Sequence, residues 1–347
     1  MSKIQYHPLK VAQVVEETAD ARSVVFEIPA ELREKFRYKP GQFLTLRIPC
    51  GDKPLPRCYS LSSTPLLDEP LRVTVKRVAG GRASNWLCGC LRAGDTLEVA
   101  VPGGIFTPKS LDGDFILFGG GSGVTPVLSI IRSVLTSGKG RLKLFYANRD
   151  ERSVIFGAEL ARLSREHPKR LQIFHWLDAV QGIPSQAQIE AVSRTWLAEM
   201  PNAEAFICGP GIFMDCTAAA LHDIGLPHAR VHIERFVSLP EDSDEAAVPV
   251  MTEGAMVADV EVELDGETHR FVAEPGQLLI DAMEAAGMEP PYSCRAGACA
   301  ACMCHLDEGE IEMRSNQVLD QSDIEQGWIL SCQAVAKSAK VKLRYPT

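Results

Sequence analysis

The C-terminal part of the chain carries four cysteines at a spacing that suits a metal cluster. Cys294, Cys299 and Cys302 follow the pattern C-x4-C-x2-C, and Cys332 lies 30 positions further on. Plant-type [2Fe–2S] clusters use this pattern, because soft thiolates bind iron–sulfur cores. A structural zinc site is the alternative, but zinc usually takes two short Cys or His pairs, and Cys332 has no such neighbour. The spacing therefore predicts a [2Fe–2S] cluster held by these four thiolates.

A fifth cysteine, Cys304, lies close to this set in the sequence. Free cysteines are commonly buried as small apolar residues. We therefore expect Cys304 to be a core residue and not a ligand.

A second group of residues, near the start of the chain, suits a flavin. Arg57 can bind a phosphate, because its guanidinium matches phosphate oxygens. The ring of Tyr59 can lie on an isoalloxazine, and Ser60 can offer its hydroxyl or its backbone N–H to the flavin N5. The alternative is an ordinary strand with a surface arginine.

A loop further along, Gly80–Leu87, predicts a second phosphate site. Two glycines lead into Ser84 and an apolar periodic stretch, which is typical of a loop that enters a helix N-terminus. Two phosphate sites suit a pyrophosphate, so FAD is favoured over FMN.

Two glycine turns predict a nicotinamide nucleotide site. Gly119–Pro126 follows a buried strand and opens a helix, although it departs from G-x-G-x-x-G. Cys208–Gly211 is a second strand-to-helix turn, and it lies beside the first if their strands are neighbours. Thr125 and Cys208 are then close to one nicotinamide. The alternatives are a plain turn and a small residue at Cys208.

Phe236 ends this region, and two interpretations of it remain open. Its ring can stack on the flavin face where a nicotinamide must enter, or it can belong to the core. Together, Ser60, Thr125, Cys208 and Phe236 are the candidate residues for the reaction itself.

The elements that position these groups fall into three regions. Short alternating runs between residues 9 and 101, separated by turn signals, predict an antiparallel β-barrel. Strands and helices alternate over 114–236, which indicates a parallel α/β sheet. An acidic segment follows and is predicted to be a linker. We place the domain boundaries at 1–110, 111–237, 238–256 for the linker, and 257–347.

The charge distribution and the hydropathy of the chain exclude some classes of function. The net charge is −9; residues 257–347 carry 16 acidic against 7 basic side chains, and residues 1–237 are left at +5. The acidic domain either attracts the basic remainder of the chain, meets a basic partner or contributes to solubility alone. Nothing resembles a nucleic-acid footprint. We find no transmembrane run and no signal peptide, so a cytoplasmic protein with reduced thiols is expected.

These three regions in this order resemble the ferredoxin–NADP reductase superfamily. Within it, the chain is similar to reductase components of bacterial multicomponent oxygenases, in particular the 3-ketosteroid 9α-hydroxylase and phenylacetyl-CoA epoxidase types. The resemblance implies a C-terminal β-grasp ferredoxin domain. It also implies roles for matching positions: flavin at Arg57, Tyr59 and Ser60, its pyrophosphate at Gly81, Arg82 and Ser84, and the nicotinamide nucleotide at Gly120, Gly121, Thr125, Cys208, Gly209 and Pro210.

The resulting hypothesis is an electron-transfer enzyme. NAD(P)H gives a hydride to the flavin, and the electrons pass singly through the cluster to a terminal oxygenase, of the Rieske or the di-iron type. The residues leave NADH and NADPH open, since Arg149 suits a 2′-phosphate and Asp150 opposes one, and the resemblance favours NADH. A redox sensor whose cluster gates a binding surface is the alternative from another class. A desaturase or a P450 is an alternative acceptor.

Overall fold

The computed structural model describes residues 5–50, 54–67, 69–236, 256–292, 295, 297, 300–316, 318–319 and 321–346. Cys294, Cys299 and nearly all of the predicted linker lie outside these residues. The chain divides into two compact units, one of them Tyr6–Phe236 and the other containing the C-terminal domain. No helix in the described ranges is long and apolar enough to cross a membrane.

The N-terminal domain is a six-stranded antiparallel sheet with one helix. Its elements are β1 (Tyr6–Thr18), β2 (Ala21–Glu27), β3 (Phe43–Ile48), β4 (Leu55–Ser60), β5 (Leu71–Lys76), α1 (Arg82–Gly89) and β6 (Thr96–Ala100). The strand order is β4-β3-β6-β1-β2-β5, and a bridge between Leu61 and Val73 joins the two outer strands. The sheet therefore closes as the predicted barrel.

Alternation of apolar and polar residues builds this barrel. In β2, Val24 and Phe26 are fully buried in the barrel core, together with Leu44 and Leu46 of β3. Ala21, at the start of β2, belongs to the core of the next domain instead. One side of the barrel wall therefore packs against the nucleotide-binding domain.

The second domain is a parallel sheet covered by helices on both faces. It comprises β7 (Phe115–Gly120), α2 (Val124–Ser137), β8 (Leu142–Asn148), α3 (Gly157–Glu166), β9 (Leu171–Leu177), α4 (Asp178–Gln181), α5 (Gln186–Glu199), β10 (Glu204–Gly209), α6 (Gly211–Asp223) and β11 (Val231–Arg235). The strand order is β11-β10-β7-β8-β9, with every neighbouring pair parallel. The order reverses between β7 and β10, and ligands bind at such a switch point.

The start of α3 differs from the expectation. The sequence pattern predicts a helix from Val154, but the helix begins at Gly157. Asp150 and Ser153 form a reciprocal cap on a short 3₁₀ turn, and Phe156 takes a left-handed backbone conformation at φ 59°. Residues 154–156 are therefore a connection, because a left-handed residue interrupts a right-handed helix.

The C-terminal domain has a mixed sheet and two short helices. Its elements are β12 (Ala258–Leu264), β13 (Glu267–Ala273), α7 (Leu279–Ala285), β14 (Met303–Glu308), β15 (Ile311–Met313), α8 (Gln321–Glu325), β16 (Trp328–Leu330), β17 (Ala334–Ala336) and β18 (Lys340–Arg344). The larger sheet has the order β13-β12-β18-β14-β16, with β12 and β18 parallel. Leu279, Ala282 and Met283 of α7 pack into its core, as the predicted β-grasp fold requires.

Candidate functional site

Two of the four predicted cluster ligands lie in one apolar pocket. Cys302 and Cys332 are only 2% and 1% exposed, and both belong to a cluster that includes Ile280 and Leu330. Ser331 fixes the two segments together, since its N–H and its hydroxyl both donate to the Cys302 carbonyl, at 3.2 and 3.1 Å. The fold therefore brings together Cys302 and Cys332, which are 30 positions apart in the sequence. Cys294 and Cys299 fall outside the described residues.

The loop before Cys302 curls through left-handed conformations. Arg295, Gly297 and Ala300 have φ values of 51°, 73° and 54°. A Cβ on Gly297 would lie 2.5 Å from the Ser315 carbonyl oxygen, so this position requires glycine. Left-handed residues help to gather N–H groups into a concave nest, as at many iron–sulfur sites. The thiols and the loop therefore fit a [2Fe–2S] cluster.

Cys304 lies in the main core of the C-terminal domain, as expected. It is fully buried and belongs to the same core as Val260 and Leu343, whereas Cys302 belongs to the other cluster. Burial raises the pKa of its thiol far above the ordinary value. A thiol that stays protonated is a poor ligand.

The predicted flavin residues lie on β4, which pairs with β3. Arg57 and Tyr59 are two residues apart and therefore share one face of the strand, while Ser60 lies on the other. Arg57 donates to the Pro56 carbonyl at 2.8 Å, and a guanidinium has five donors in all. Burial raises the pKa of Tyr59, so its phenol stays neutral. This donor set fits a flavin phosphate and ring.

Around the start of α1, the side chains bond to the barrel's own backbone. The Ser84 hydroxyl accepts from the Val78 N–H at 3.1 Å, and Arg82 donates to the Cys50 carbonyl at 3.0 Å. Gly81 is the N-cap and provides no side chain. The structure thus places these residues as supports of a helix N-terminus, and their contact with a pyrophosphate stays a prediction.

The two glycine turns contact each other, as predicted. Strands β7 and β10 are neighbours, and Cys208 is in register with Gly119. A Cβ on Gly123 would lie 2.1 Å from the Cys208 carbonyl oxygen, and one on Gly120 would lie 2.7 Å from Pro210 Cδ. Both turns therefore need glycine so that their backbones can approach. Such a bare backbone surface at a switch point fits a dinucleotide.

Two supports of the first turn come from its own domain. The Thr125 hydroxyl donates to the Ser122 carbonyl at 3.0 Å. The Tyr146 hydroxyl lies 3.2 Å from the Gly121 carbonyl oxygen and 3.3 Å from that of Ile155, and it accepts from the Ile155 N–H. Thr125 is 2% exposed. In this state its hydroxyl stabilises the turn.

Lys76 of the barrel reaches this turn from the other side. Its Nζ would lie 3.6 Å from a Cβ on Gly121, and it is 3.9 Å from an Asp20 carboxylate oxygen. A cation above a glycine turn suits a pyrophosphate. Sequence reasoning did not assign Lys76 to the nucleotide site, because the turn and the lysine are about 45 residues apart.

Glu234 completes the group at the carboxyl end of the sheet. Ser60 donates to its Oε2 at 2.9 Å, and Cys208 is its register partner in the neighbouring strand. Burial raises the pKa of Glu234 to about 8 from its ordinary 4.5, and it also raises that of the Cys208 thiol. A hydroxyl, a neutral thiol and a carboxyl that holds a proton near neutral pH are thus brought together.

Sequence reasoning missed Glu234, although it named two of its neighbours in space. The residue lies near the end of β11, an edge strand that was not predicted. A carboxylate at the end of an alternating run before a linker was the available signal. Phe236, two residues further on, is 42% exposed, so it is not a core residue in this state. Its contact with a flavin stays a prediction.

Three family models match the chain in consecutive segments. They are described as an oxidoreductase FAD-binding domain (residues 8–107), an oxidoreductase NAD-binding domain (117–219) and a 2Fe-2S iron-sulfur cluster binding domain (262–337). The FAD, the nicotinamide nucleotide and the cluster predicted from the sequence are confirmed by these matches.

Several characterised proteins are similar along their whole length. The ferredoxin reductase component of 3-ketosteroid-9-alpha-monooxygenase from Rhodococcus rhodochrous is 52% identical over 342 residues, which cover 97% of this chain and 96% of the relative. A component of the 1,2-phenylacetyl-CoA epoxidase from Escherichia coli (strain K12) is 34% identical over 97% of this chain and 96% of its own. The solved structure of phthalate dioxygenase reductase has a TM-score of 0.61 at 24% identity and covers 98% of both chains.

Proposed function

Since this chain belongs to the family of FAD- and [2Fe–2S]-containing reductase components of multicomponent oxygenases, we propose that its acceptor is the terminal oxygenase of a 3-ketosteroid 9α-monooxygenase. The chain is an NAD(P)H oxidoreductase that passes electrons to an oxygenase. The observation that carries the finer proposal is the identity with the steroid-type relatives, which exceeds that with the epoxidase component.

When bound, the FAD would supply hydride uptake from NAD(P)H and the release of single electrons, and the cluster would supply one-electron transfer. The protein must then bind and orient these groups, and it must hold or transfer protons. Ser60 and Glu234 suit proton management, because a carboxyl with a pKa of about 8 is near half protonation at neutral to mildly basic pH. Cys208 contributes a small neutral side chain where a nicotinamide needs room.

We assign the cluster to Cys294, Cys299, Cys302 and Cys332. Support comes from the burial of Cys302 and Cys332 in one pocket and from the left-handed loop that precedes Cys302. Flavin contacts are assigned to Arg57, Tyr59 and Ser60, and nucleotide contacts to the two glycine turns. Lys76 is added to the nucleotide site because its Nζ lies above Gly121.

NADH is the proposed electron donor. Arg149 Nε lies 3.0 Å from an Asp150 carboxylate oxygen, and Asp150 also accepts from the Ser153 N–H at 2.9 Å. The hydrogen bond from Arg149 is the largest cause that lowers the pKa of Asp150. Asp150 therefore stays charged beside Arg149 and opposes a 2′-phosphate there.

We place the protein in the cytoplasm. Support comes from Cys208 and Cys304, which are buried thiols without a disulfide, and from a cluster that needs reduced ligands.

The test combines spectroscopy with a coupled assay. Anaerobic NADH is expected to bleach both the flavin bands and the [2Fe–2S] envelope of the purified protein. Mixed with a purified 3-ketosteroid 9α-monooxygenase oxygenase component, the protein is expected to support steroid hydroxylation, with a higher kcat/KM for NADH than for NADPH. Bleaching without hydroxylation, together with efficient support of a different oxygenase, would refute the steroid assignment alone.

A further inference from the structure

A charged cluster joins the barrel to the nucleotide-binding domain, away from the turns described above. Arg132 on α2 lies 2.6 Å from a Glu69 carboxylate oxygen and 3.3 Å from one of Glu159 on α3. Arg72 on β5 lies 3.2 Å from the other oxygen of Glu159. Glu69 and Arg72 belong to the barrel, so two of these three ion pairs cross the domain boundary.

These side chains are largely withdrawn from water. Arg132, Arg72, Glu159 and Glu69 are only 13%, 19%, 20% and 23% exposed. Exposed ion pairs contribute little, but removal of one partner from a buried group leaves an uncompensated charge. The group is electrically balanced, with two arginines and two glutamates.

Further hydrogen bonds tie the cluster to the segment that follows Ser60. Arg72 donates to the Ser62 carbonyl at 2.9 Å, and Glu69 accepts from the Thr64 N–H at 2.7 Å. The Thr64 hydroxyl lies 2.7 Å from the Ser133 hydroxyl of α2. The chain from Ser60 to Thr64 is therefore anchored to the nucleotide-binding domain within four residues of the site.

The same charged cluster is connected through helix α2 to the first glycine turn. Helix α2 begins at Val124, directly after the first glycine turn, and it carries Arg132 and Ser133 about two turns further on. Arg72 also lies over the ring of Phe156, 5.0 Å from its centre, at the left-handed residue that opens α3. The segment after Ser60 and the helix after the first glycine turn are thus each connected to the same ionic group through a few residues.

We propose that Arg132 and Glu159 are positioning residues, which form with Glu69 and Arg72 an ionic clamp that holds Ser60 against Cys208 and Glu234. The inference rests on the electron-transfer function proposed above. Hydride transfer requires the donor and acceptor atoms in near-contact geometry, and a misplacement of about 1 Å can cost about 100-fold in rate. The clamp fixes the angle between the two domains that carry those groups.

The experiment uses the full-length flavin-loaded protein with the double variant Arg132→Gln, Glu159→Gln, which removes one charge of each sign. Flavin reduction by excess NADH is expected to slow by about 10-fold, with an increased isotope effect from 4-deuterated NADH. The KM for NADH is expected to change by less than about twofold, because the nucleotide contacts are intact. Hydrogen–deuterium exchange is expected to quicken in peptides covering 60–72 and 124–137.

The matched control is the double variant Arg162→Gln, Glu166→Gln. This pair lies on α3 as well, at 2.5 Å, but both partners belong to one domain and are about half exposed. It should leave the rate constant, the isotope effect and the exchange unchanged. Arg132→Lys with Glu159→Asp, which keeps both charges, should recover part of the rate.

Two results would overturn the clamp. One is an unchanged rate constant and unchanged exchange in the double variant. The other is a rate that falls only in proportion to folded, flavin-loaded protein, with the isotope effect unaltered. If the double variant does not fold, Thr64→Val, which removes the bonds of the hydroxyl to Ser133 and to the Leu66 N–H, must show smaller changes of the same kind in the rate constant, the isotope effect and the exchange. Wild-type protein that NADH fails to bleach would instead refute the proposed function.

Discussion

At the scale of single residues, the pKa of Glu234 links the geometry of the site to its pH dependence. The carboxyl is raised from 4.5 to about 8, so the folded protein binds its proton more tightly than the unfolded chain does. Its contribution to the free energy of unfolding is therefore full below pH 4.5 and is lost as the pH rises through about 8. The fold is therefore less stable in basic solution, where the buried carboxyl of Glu234 loses its proton.

Replacement of Glu234 by Gln is expected to slow flavin reduction by about 100-fold, because the titrating group next to Ser60 is lost. The rate of the wild-type protein is expected to fall above pH 8, where this carboxyl loses its proton, and the fall should be absent in the variant. Stopped-flow reduction between pH 6 and 9 measures both effects. Glu204→Gln is the control, since Glu204 pairs with His232 at 2.8 Å and lies at the start of β10, at the opposite end of the sheet. Parallel pH profiles for Glu234→Gln and the wild type would contradict the assignment.

At the scale of elements, the contact between the two glycine turns predicts a sharp effect of one methyl group. In Gly123→Ala the new Cβ meets the Cys208 carbonyl oxygen and the Gly209 nitrogen, which are backbone atoms and cannot rotate away. We expect a loss of about 1–3 kcal/mol in the free energy of unfolding and a weaker affinity for NAD⁺. Urea unfolding measures the free energy of unfolding, and equilibrium titration measures the affinity for NAD⁺.

Gly211→Ala is the matched control for the stability measurement on that variant. Gly211 begins α6 only two residues after Gly209, but a Cβ there meets nothing within 4 Å. Equal losses of stability in the two variants would show that the close approach of the turns is unimportant.

The cluster loop gives a second prediction at this scale. Gly297→Ala adds a Cβ 2.5 Å from the Ser315 carbonyl oxygen at a residue with φ 73°, so the loop cannot close as it does here. Iron content per chain is expected to fall well below two. Gly287→Ala shares the positive φ (85°) but meets nothing within 4 Å, so it should lose only about 1 kcal/mol of stability and keep its iron. Iron analysis that finds no difference between the two variants would contradict the loop's role.

Most of these elements could be predicted from the sequence, and the exceptions have physical reasons. The sequence pattern predicts a strand over Phe43–Ile48 and a helix from about Gly211 to Asp223, and β3 and α6 have these bounds, because glycine and proline residues flank both segments. A strand at β4 was named only as the alternative to a flavin motif, since the predicted flavin residues interrupt the apolar alternation. The start of α3 was misplaced because nothing in the sequence marks Phe156 as left-handed.

The candidate site, too, could be predicted from the sequence only in part. The glycine turns could be paired from the sequence, because parallel strands place both turns at one sheet edge. The approach of Glu234 to Ser60 could not, since it joins residues 174 positions apart in two different domains. Contacts across a domain boundary leave no periodic signal in either partner.

At the scale of the whole molecule, the three cofactor domains are expected to act in series. Cys332→Ser in the full-length chain removes one predicted cluster ligand but leaves the barrel and the nucleotide-binding domain unchanged. NADH-dependent reduction of ferricyanide, which accepts electrons directly from flavins, should persist, while electron transfer to the oxygenase should fall below detection. Absorption spectra should keep the flavin bands and lose the cluster envelope.

Cys304→Ser is the control for that experiment, because Cys304 lies in the main core and is similar in chemistry and in burial. It should retain the cluster and the transfer to the oxygenase, with some loss of stability. Oxygenase turnover that survives Cys332→Ser would show that the cluster is not on the path.

The separation of Cys302 and Cys304 into two different cores also bears on how the protein matures. The two cysteines are only two positions apart, so in an unfolded chain both thiols are within reach of the same iron. Strand β14 buries Cys304 in the apolar core, where its thiol keeps its proton. Folding therefore makes Cys304 unavailable as a ligand. Of these two thiols, only that of Cys302 is therefore placed beside Cys332 in the folded domain.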